Sequence, residues 1–218
     1  MKLNERTLTV LKNFAGINSG VVLRKGKIQK TMSPEQTILV EAHLEDDLPE
    51  VFGIYDLNQF LGNVTTLSSP DMVFTENSVI MNDGELSLNY YSCSTNLIIS
   101  PPEGKDLVMK DADVTFDLSQ ATLQKMLKLA AMNNLPNISV IGKGGELRLQ
   151  THEVKNDTSN FASIKIDEYT GADFNVSFKT ENLKLIPDDY EVQIKVGGFS
   201  SFTNKTKTLK YFIAMEKK

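Results

Sequence analysis

Residues 3–19, LNERTLTVLKNFAGINS, constrain the fold most, because they spell one short amphipathic helix whose design returns at residues 119–133. At about 100° per residue, Thr7, Leu8, Val10, Leu11, Phe14 and Ala15 share one side, and Glu5, Arg6, Thr9, Lys12 and Asn13 share the other. In the second copy, SQATLQKMLKLAAMN, Leu123, Met126, Leu127 and Ala130 form the apolar stripe. Lys125 and Lys128 stand opposite with no carboxylate beside them. Both helices lead into paired strand-like runs, SGVVLRKGKIQKTM hinged at Lys25-Gly26 and NISVIGKGGELRLQT hinged at Gly144-Gly145. Residues 51–67 and 174–186 repeat as well, each a strand running into a short helix that begins D/T-x-N. Helix then hairpin, used twice, marks an internal duplication and predicts two related domains of about 110 residues.

Along the chain, residues 37–44 read as a strand and EDDLPE as a solvated turn stopped by Pro49. Asp56 is placed to cap a helix in which Leu57, Phe60, Leu61 and Val64 share a face. Short strands are expected at 72–74, 79–81 and 86–91. Residues 92–111, broken by Pro101-Pro102 and Gly104, read as a connector between domains 1–91 and 112–218. The second half continues with strands at 114–117, 162–166 and 174–178, a helical turn at 181–186, and three closing strands. The expected class is α+β, strand-rich, with about four short helices.

Net charge is −5, from 28 acidic and 23 basic residues, and the two signs are segregated. Glu45, Asp46, Asp47 and Glu50 cluster in one stretch, Arg24, Lys25, Lys27 and Lys30 in another, and Lys205, Lys207 and Lys210 in a third. Such segregation is compatible with one basic surface on an acidic body. Cys93 is the single cysteine, which excludes an intrachain disulfide and fits a reducing cytosol. The opening residues lack the apolar core of a signal peptide, and no run is long enough to cross a membrane, so no membrane partner is expected.

Catalysis has little to stand on. His43 and His152 are isolated, and no nucleophile elbow, Walker loop or paired-cysteine metal site is present. Gly142-Lys143-Gly144-Gly145 reads as a hairpin turn and not as a phosphate loop. Asp46, Asp47 and Glu50 read as solvated carboxylates in preference to a metal set, so no metal, cofactor or catalytic residue is expected. Only Arg6, Arg24 and Arg148 are arginines among the basic residues. A lysine-rich surface suits sequence-independent phosphate contact better than base reading.

Leu8 to Gly20 (LTVLKNFAGINSG) and Ile54 to Gly62 (IYDLNQFLG) resemble the opening third of the sliding clamps of T-even-like bacteriophages, the DNA polymerase processivity factors. Pro101-Pro102, the helix through Leu123 to Leu127, and Met215-Glu216 fall where that family has its connector, second-domain helix and last strand. The resemblance implies two clamp-fold domains with short helices on one face, assembling head-to-tail into a homotrimeric ring around duplex DNA. It implies DNA contacts from Lys2, Arg6, Lys12, Lys125, Lys128 and Lys184. By the same carry-over, a subunit interface joins Leu86, Leu88 and Tyr90 of one copy to Ile164 and Ile166 of the next. Implied partners are a C-terminal peptide of the polymerase, an ATP-dependent clamp loader and phage transcription factors, acting in the cytoplasm of the infected bacterial host. The pocket expected for the peptide is Ile98, Ile99, Val108, Tyr211 and Phe212. The chain departs from the family on the helix after Asp56, whose wet face carries no basic residue, and on that near Glu181, which carries only Lys184. Two other readings compete: a structural β-rich oligomeric phage protein, and a hydrolase using Asp46, Asp47 and Glu50.

Overall fold

Asn4 starts the first helix, α1 (Glu5–Ala15), by leaving helical geometry and accepting the Thr7 N–H on its side-chain oxygen at 2.8 Å. The computed structural model describes residues 1–104, 106–156 and 158–216, and the chain divides into two compact units, Met1–Asp106 and Leu107–Lys218. Val10, Leu11 and Phe14 bury the apolar side of α1, each contributing about 1.5–3 kcal/mol relative to exposure.

Unit 1 continues with β1 (Val21–Leu23), β2 (Gly26–Met32), β3 (Ile38–Leu48), β4 (Phe52–Ile54), α2 (Leu57–Thr66), β5 (Asp71–Phe74), β6 (Ser78–Asn82) and β7 (Ser87–Tyr91). A single 3-10 turn follows at Thr95–Leu97. Unit 2 holds β8 (Val114–Leu118), α3 (Gln120–Met132), β9 (Asn137–Lys143), β10 (Glu146–His152), β11 (Ala162–Glu168), β12 (Phe174–Lys179), a 3-10 turn (Thr180–Asn182), β13 (Tyr190–Ile194), β14 (Phe199–Asn204) and β15 (Leu209–Ala214). The class is α+β with strands in the majority, in two similar halves.

The halves share a chain path down to single hydrogen bonds. β1 runs antiparallel to β4 as β9 does to β12, with Val22 opposite Gly53 and Ser139 opposite Ser177. β2 and β3 form a hairpin, as do β10 and β11, and the meander β5-β6-β7 answers β13-β14-β15. The turn into α2 is fixed by Leu57 N–H on the Ser19 carbonyl, and the turn after β12 by Thr180 N–H on the Pro136 carbonyl. β8 pairs with β13; in unit 1, Met1 exchanges two 2.7 Å backbone hydrogen bonds with Met72 on β5, doing the same work with one residue.

Three expectations are corrected. The first half has no hairpin between β1 and β2: β1 pairs with β4 and β2 with β3. The cause is Gln29, fully buried, whose side chain accepts the Arg24 N–H at 2.8 Å and donates to the carbonyls of Arg24 and Gly26. It satisfies backbone groups that a tight hairpin would pair. The second half keeps its hairpin, because Gly144 (φ +61°) and Gly145 (φ +86°) supply the positive dihedrals a two-residue turn requires. Next, Glu45–Asp47 are not a solvated turn, since β3 runs through them to Leu48. Asp46 sits on the inward phase of that strand, and its carboxylate accepts the Asn4 N–H at 2.8 Å. Lastly, no helix spans 181–186. After the single 3-10 turn, Ile186 donates its N–H to the Tyr211 hydroxyl and accepts from the Tyr190 hydroxyl, while Pro187 bars helical continuation. The described residues hold three α-helices, not four.

Candidate nucleic-acid interface and partner groove

α1 packs against α2 and β3, while α3 lies on β9 and β10, so each helix turns one side to protein and the other to solvent. On the solvent side of α1 stand Lys12, exposed, and Arg6, half-buried; α3 presents Lys125 and Lys128, both exposed, with no carboxylate on the helix. None of these four cations has an ion pair among the described residues. The wet side of α2, with Asn58, Gln59, Gly62 and Thr66, is neutral. Lys2 precedes α1 and lies 4.0 Å from the Asp71 carboxylate. Lys184 lies beyond the 3-10 turn of unit 2 and is exposed, so it belongs to no helix.

In the cluster of Arg24, Lys25, Lys27 and Lys30, the first and last are paired locally, while Lys25 and Lys27 are exposed. Arg24 bonds Glu103, and Lys30 lies 2.8 Å from Glu41 and 2.5 Å from Asp106. Burial pushes the Lys30 ammonium towards deprotonation, but the hydrogen bonds it donates to Asp106 and Glu41, with the charges of those carboxylates, outweigh that and raise its pKa. Two members of the acidic cluster are employed in structure, Glu45 accepting from the Asn4 side chain and Asp46 from its backbone, while Asp47 and Glu50 are exposed. Among the described residues no group of three His, Cys, Asp or Glu is arranged to hold a metal.

Each unit has edge strands that bond one neighbour only, among them β5 and β7 in unit 1 and β11 and β12 in unit 2. β7 bonds only β6 and β11 only β10 among the described residues. Leu86, just before β7, is exposed, whereas Leu88 and Tyr90 are half-buried; the Tyr90 ring meets Phe60 edge-on at 5.3 Å. Ile164 and Ile166 on β11 are half-buried. Sequence reading overlooks Phe161, 67 % exposed directly before β11, and Met132, 71 % exposed at the end of α3. The signal for Phe161 is a lone aromatic that follows the polar run Thr158-Ser159-Asn160 at the mouth of a strand.

The five residues expected to form a peptide pocket are divided between the units, Ile98 and Ile99 in unit 1 and Val108, Tyr211 and Phe212 in unit 2. Tyr211 is 1 % exposed and packs on Tyr190, and Phe212 is buried against Phe199, so both are interior residues of unit 2. Ile98 is buried in unit 1 beside Gly20, while Ile99 and Val108 are exposed. Unit 2 instead carries an open groove of about 1200 Å³ walled by Phe161, Val154, Val176 and Met215, with Asn137 and His152 among its polar residues. Asn137, buried at the start of β9, accepts the Val154 N–H at 3.1 Å and donates to Glu216, whose own N–H bonds the Ser177 carbonyl. In unit 1 the chain leaving β7 makes the matching bond, Cys93 N–H to the Gly53 carbonyl, and then covers the corresponding ground. There the Asn18 side chain donates to the carbonyls of Met32 and Ile99, both at 2.9 Å. The duplicated surface is thus filled by the protein's own chain in one half and open in the other.

Residues 2–97 match the family of DNA polymerase processivity factors, and residues 115–217 match the C-terminal part of the gp45 sliding clamp. The sliding clamp of Vibrio phage KVP40 is 32 % identical over 221 residues, covering 99 % of each chain. That of Escherichia phage RB69 is 27 % identical, covering 99 % of this chain and 97 % of the relative. Among solved structures, the PCNA of A. fulgidus, with the C-terminal region of FEN-1 bound, superposes with a TM-score of 0.69 at 13 % identity, covering 97 % of this chain and 95 % of that one. That likeness concerns the fold.

Proposed function

This chain belongs to the phage sliding-clamp family of DNA polymerase processivity factors, and from that premise we propose that three copies close head-to-tail into a ring threaded by duplex DNA. The observation that carries the reading is α3, whose solvent side offers two unpaired lysines and no carboxylate. Arg6 and Lys12 on α1 add two more cations, and the neutral side of α2 leaves the grip to the other two helices. Lys2 and Lys184 are lesser contributors, the first beside Asp71 and the second off any helix. Point charges on flexible stems exchange one phosphate for the next without register, which lets a ring move along DNA. Retention comes from enclosure and not from affinity.

The open edges β7 and β11 support a heterologous joint, in which Leu86, Leu88 and Tyr90 of one copy meet Ile164 and Ile166 of the next. Unpaired strand edges seek partners, and a head-to-tail contact repeats until it closes. Phe161 and Met132 extend that joint. The groove of unit 2 receives a C-terminal polymerase peptide, with Ile98, Ile99, Val108, Tyr211 and Phe212 as the other candidate site, and a clamp loader opens the ring. Phage transcription factors are further candidate partners. The chain performs no chemical step of its own and works in the infected bacterial cell.

The test compares nicked circular DNA with the same DNA linearised, after loading. The ring should remain on the circle and run off the linear copy; equal retention on both would refute enclosure. Native mass in solution should equal three times the 24.3 kDa chain, and a persistent monomer at high concentration would refute the trimer.

A further inference from the structure

His152 closes β10 and lines the groove of unit 2. Its Nε2 lies 2.6 Å from the Ser139 hydroxyl, and Ser139, fully buried on β9, lies 2.6 Å from the Ser177 hydroxyl on β12. No described group bonds His152 Nδ1. The serine between two partners has one hydrogen to give. If it donates to Nε2, the ring proton sits on Nδ1 and Ser177 donates to Ser139. If it donates to Ser177, Nε2 carries the proton, and Nδ1 is either a lone pair or, in the imidazolium, a second donor. The buried hydroxyl chain can therefore run in either direction, and both directions satisfy Ser139. What changes is the group offered to the groove.

Resting on the reading of this groove as a peptide site, we infer that His152 reads a carboxylate of the docked peptide through Nδ1–H, and that docking draws one proton onto the ring. Charge-assisted donation to a carboxylate is about twice as strong as a neutral hydrogen bond, which favours the imidazolium once the anion is in place. Burial holds the free imidazole below the usual histidine range, with the negative charge of Glu216 working against it. The ring is thus largely neutral in the empty groove near neutral pH. The other charged groups that line the groove are Glu153, Lys155, Lys179 and Glu181, which put both signs around the ring. A bound anion raises the ring's pKa. The extra affinity is then fully present below the free value and is lost as pH rises through the bound value.

The probe is a synthetic peptide of the cognate polymerase's C-terminal residues, titrated calorimetrically into the full chain in two buffers of different ionisation enthalpy. Wild type should take up a fraction of a proton on binding, and affinity should fall by up to about tenfold per pH unit across the coupled range. His152→Gln should hold the weak high-pH affinity at every pH with no proton uptake, its thermal midpoint showing that it folds. Glu216→Gln should keep the coupling. A C-terminally amidated probe and one with its acidic side chains changed to amides identify which carboxylate is read. Binding without proton uptake in wild type, or uptake that survives in His152→Gln, overturns the inference. A probe that fails to bind wild type at any pH overturns the docking reading itself, and the inference with it.

Discussion

Replacing Lys125 and Lys128 together by alanine removes half of the unpaired helix-borne cations and disturbs nothing that holds unit 2 together. Both side chains are exposed on α3, neither has an ion pair among the described residues, and the buried residues of that helix are Leu123, Met126 and Ala130. Alanine is the stronger helix former by a few tenths of a kcal/mol, so the thermal midpoint should hold or rise. The effect on DNA follows from counterion release, in which each neutralised phosphate contributes about 0.9 to the slope of log affinity against log salt. How many of the four cations touch phosphate at one moment need not be known. If contacts are shared evenly among Arg6, Lys12, Lys125 and Lys128, removing two of them halves the slope. The assay is fluorescence anisotropy on a short linear duplex, which can thread a closed ring, over a salt series. Arg24→Ala combined with Lys30→Ala is the matched control, because those cations are already neutralised by Glu103, Glu41 and Asp106. An unchanged slope in the Lys125/Lys128 variant, or an equal drop in the control, would refute the assignment of the DNA surface to the helices.

Other perturbations test the fold and the joint. Asn4→Ala removes the cap of α1 and should cost about 1 kcal/mol in a denaturant titration; no shift in midpoint would show that the cap is idle. Gly142→Ala would place a Cβ 2.4 Å from the Phe174 ring and 2.6 Å from that of Tyr169, so overpacking of about 1–3 kcal/mol should lower the melting temperature, and an unaltered melt would contradict the close approach. Phe161→Asp changes a side chain that is 67 % exposed in the single chain, so folding should persist while native mass drops from three chains to one. Persistence of the larger mass would remove Phe161 from the subunit contact.

The sequence carried the duplication and the helices because both rest on periodicity. The apolar stripes of α1 and α3 emerge with Leu8, Ala15 and Leu127 only half-buried at their margins, and Asn4, Asp56 and Ser119 cap their helices by accepting the N–H groups of Thr7, Gln59 and Thr122. What escaped were polar residues on inward phases. Asp46 lies in register with Leu44 and Leu48, and continuing the alternation of β3 through it would have carried the strand past Glu45 and given that carboxylate a partner to find. Gln29 is the same case, a fully buried amide that takes over backbone groups and so replaces a hairpin with a loop. Ser139 is another, buried between His152 and Ser177 in a run that reads as plain strand. Each is a buried polar group with strict hydrogen-bonding needs, and such groups are met from distant segments that local pattern does not connect. The groove of unit 2 was missed for a related reason. Its walls come from five separate stretches, and only the comparison of Cys93 with Glu216, each bonding back to the strand before it, reveals that one half covers a surface the other leaves open. An inward-phase Asp, Gln or Ser in a strand is therefore best treated, when reading a duplicated chain, as a point where the two copies diverge and where a partner, internal or external, is held.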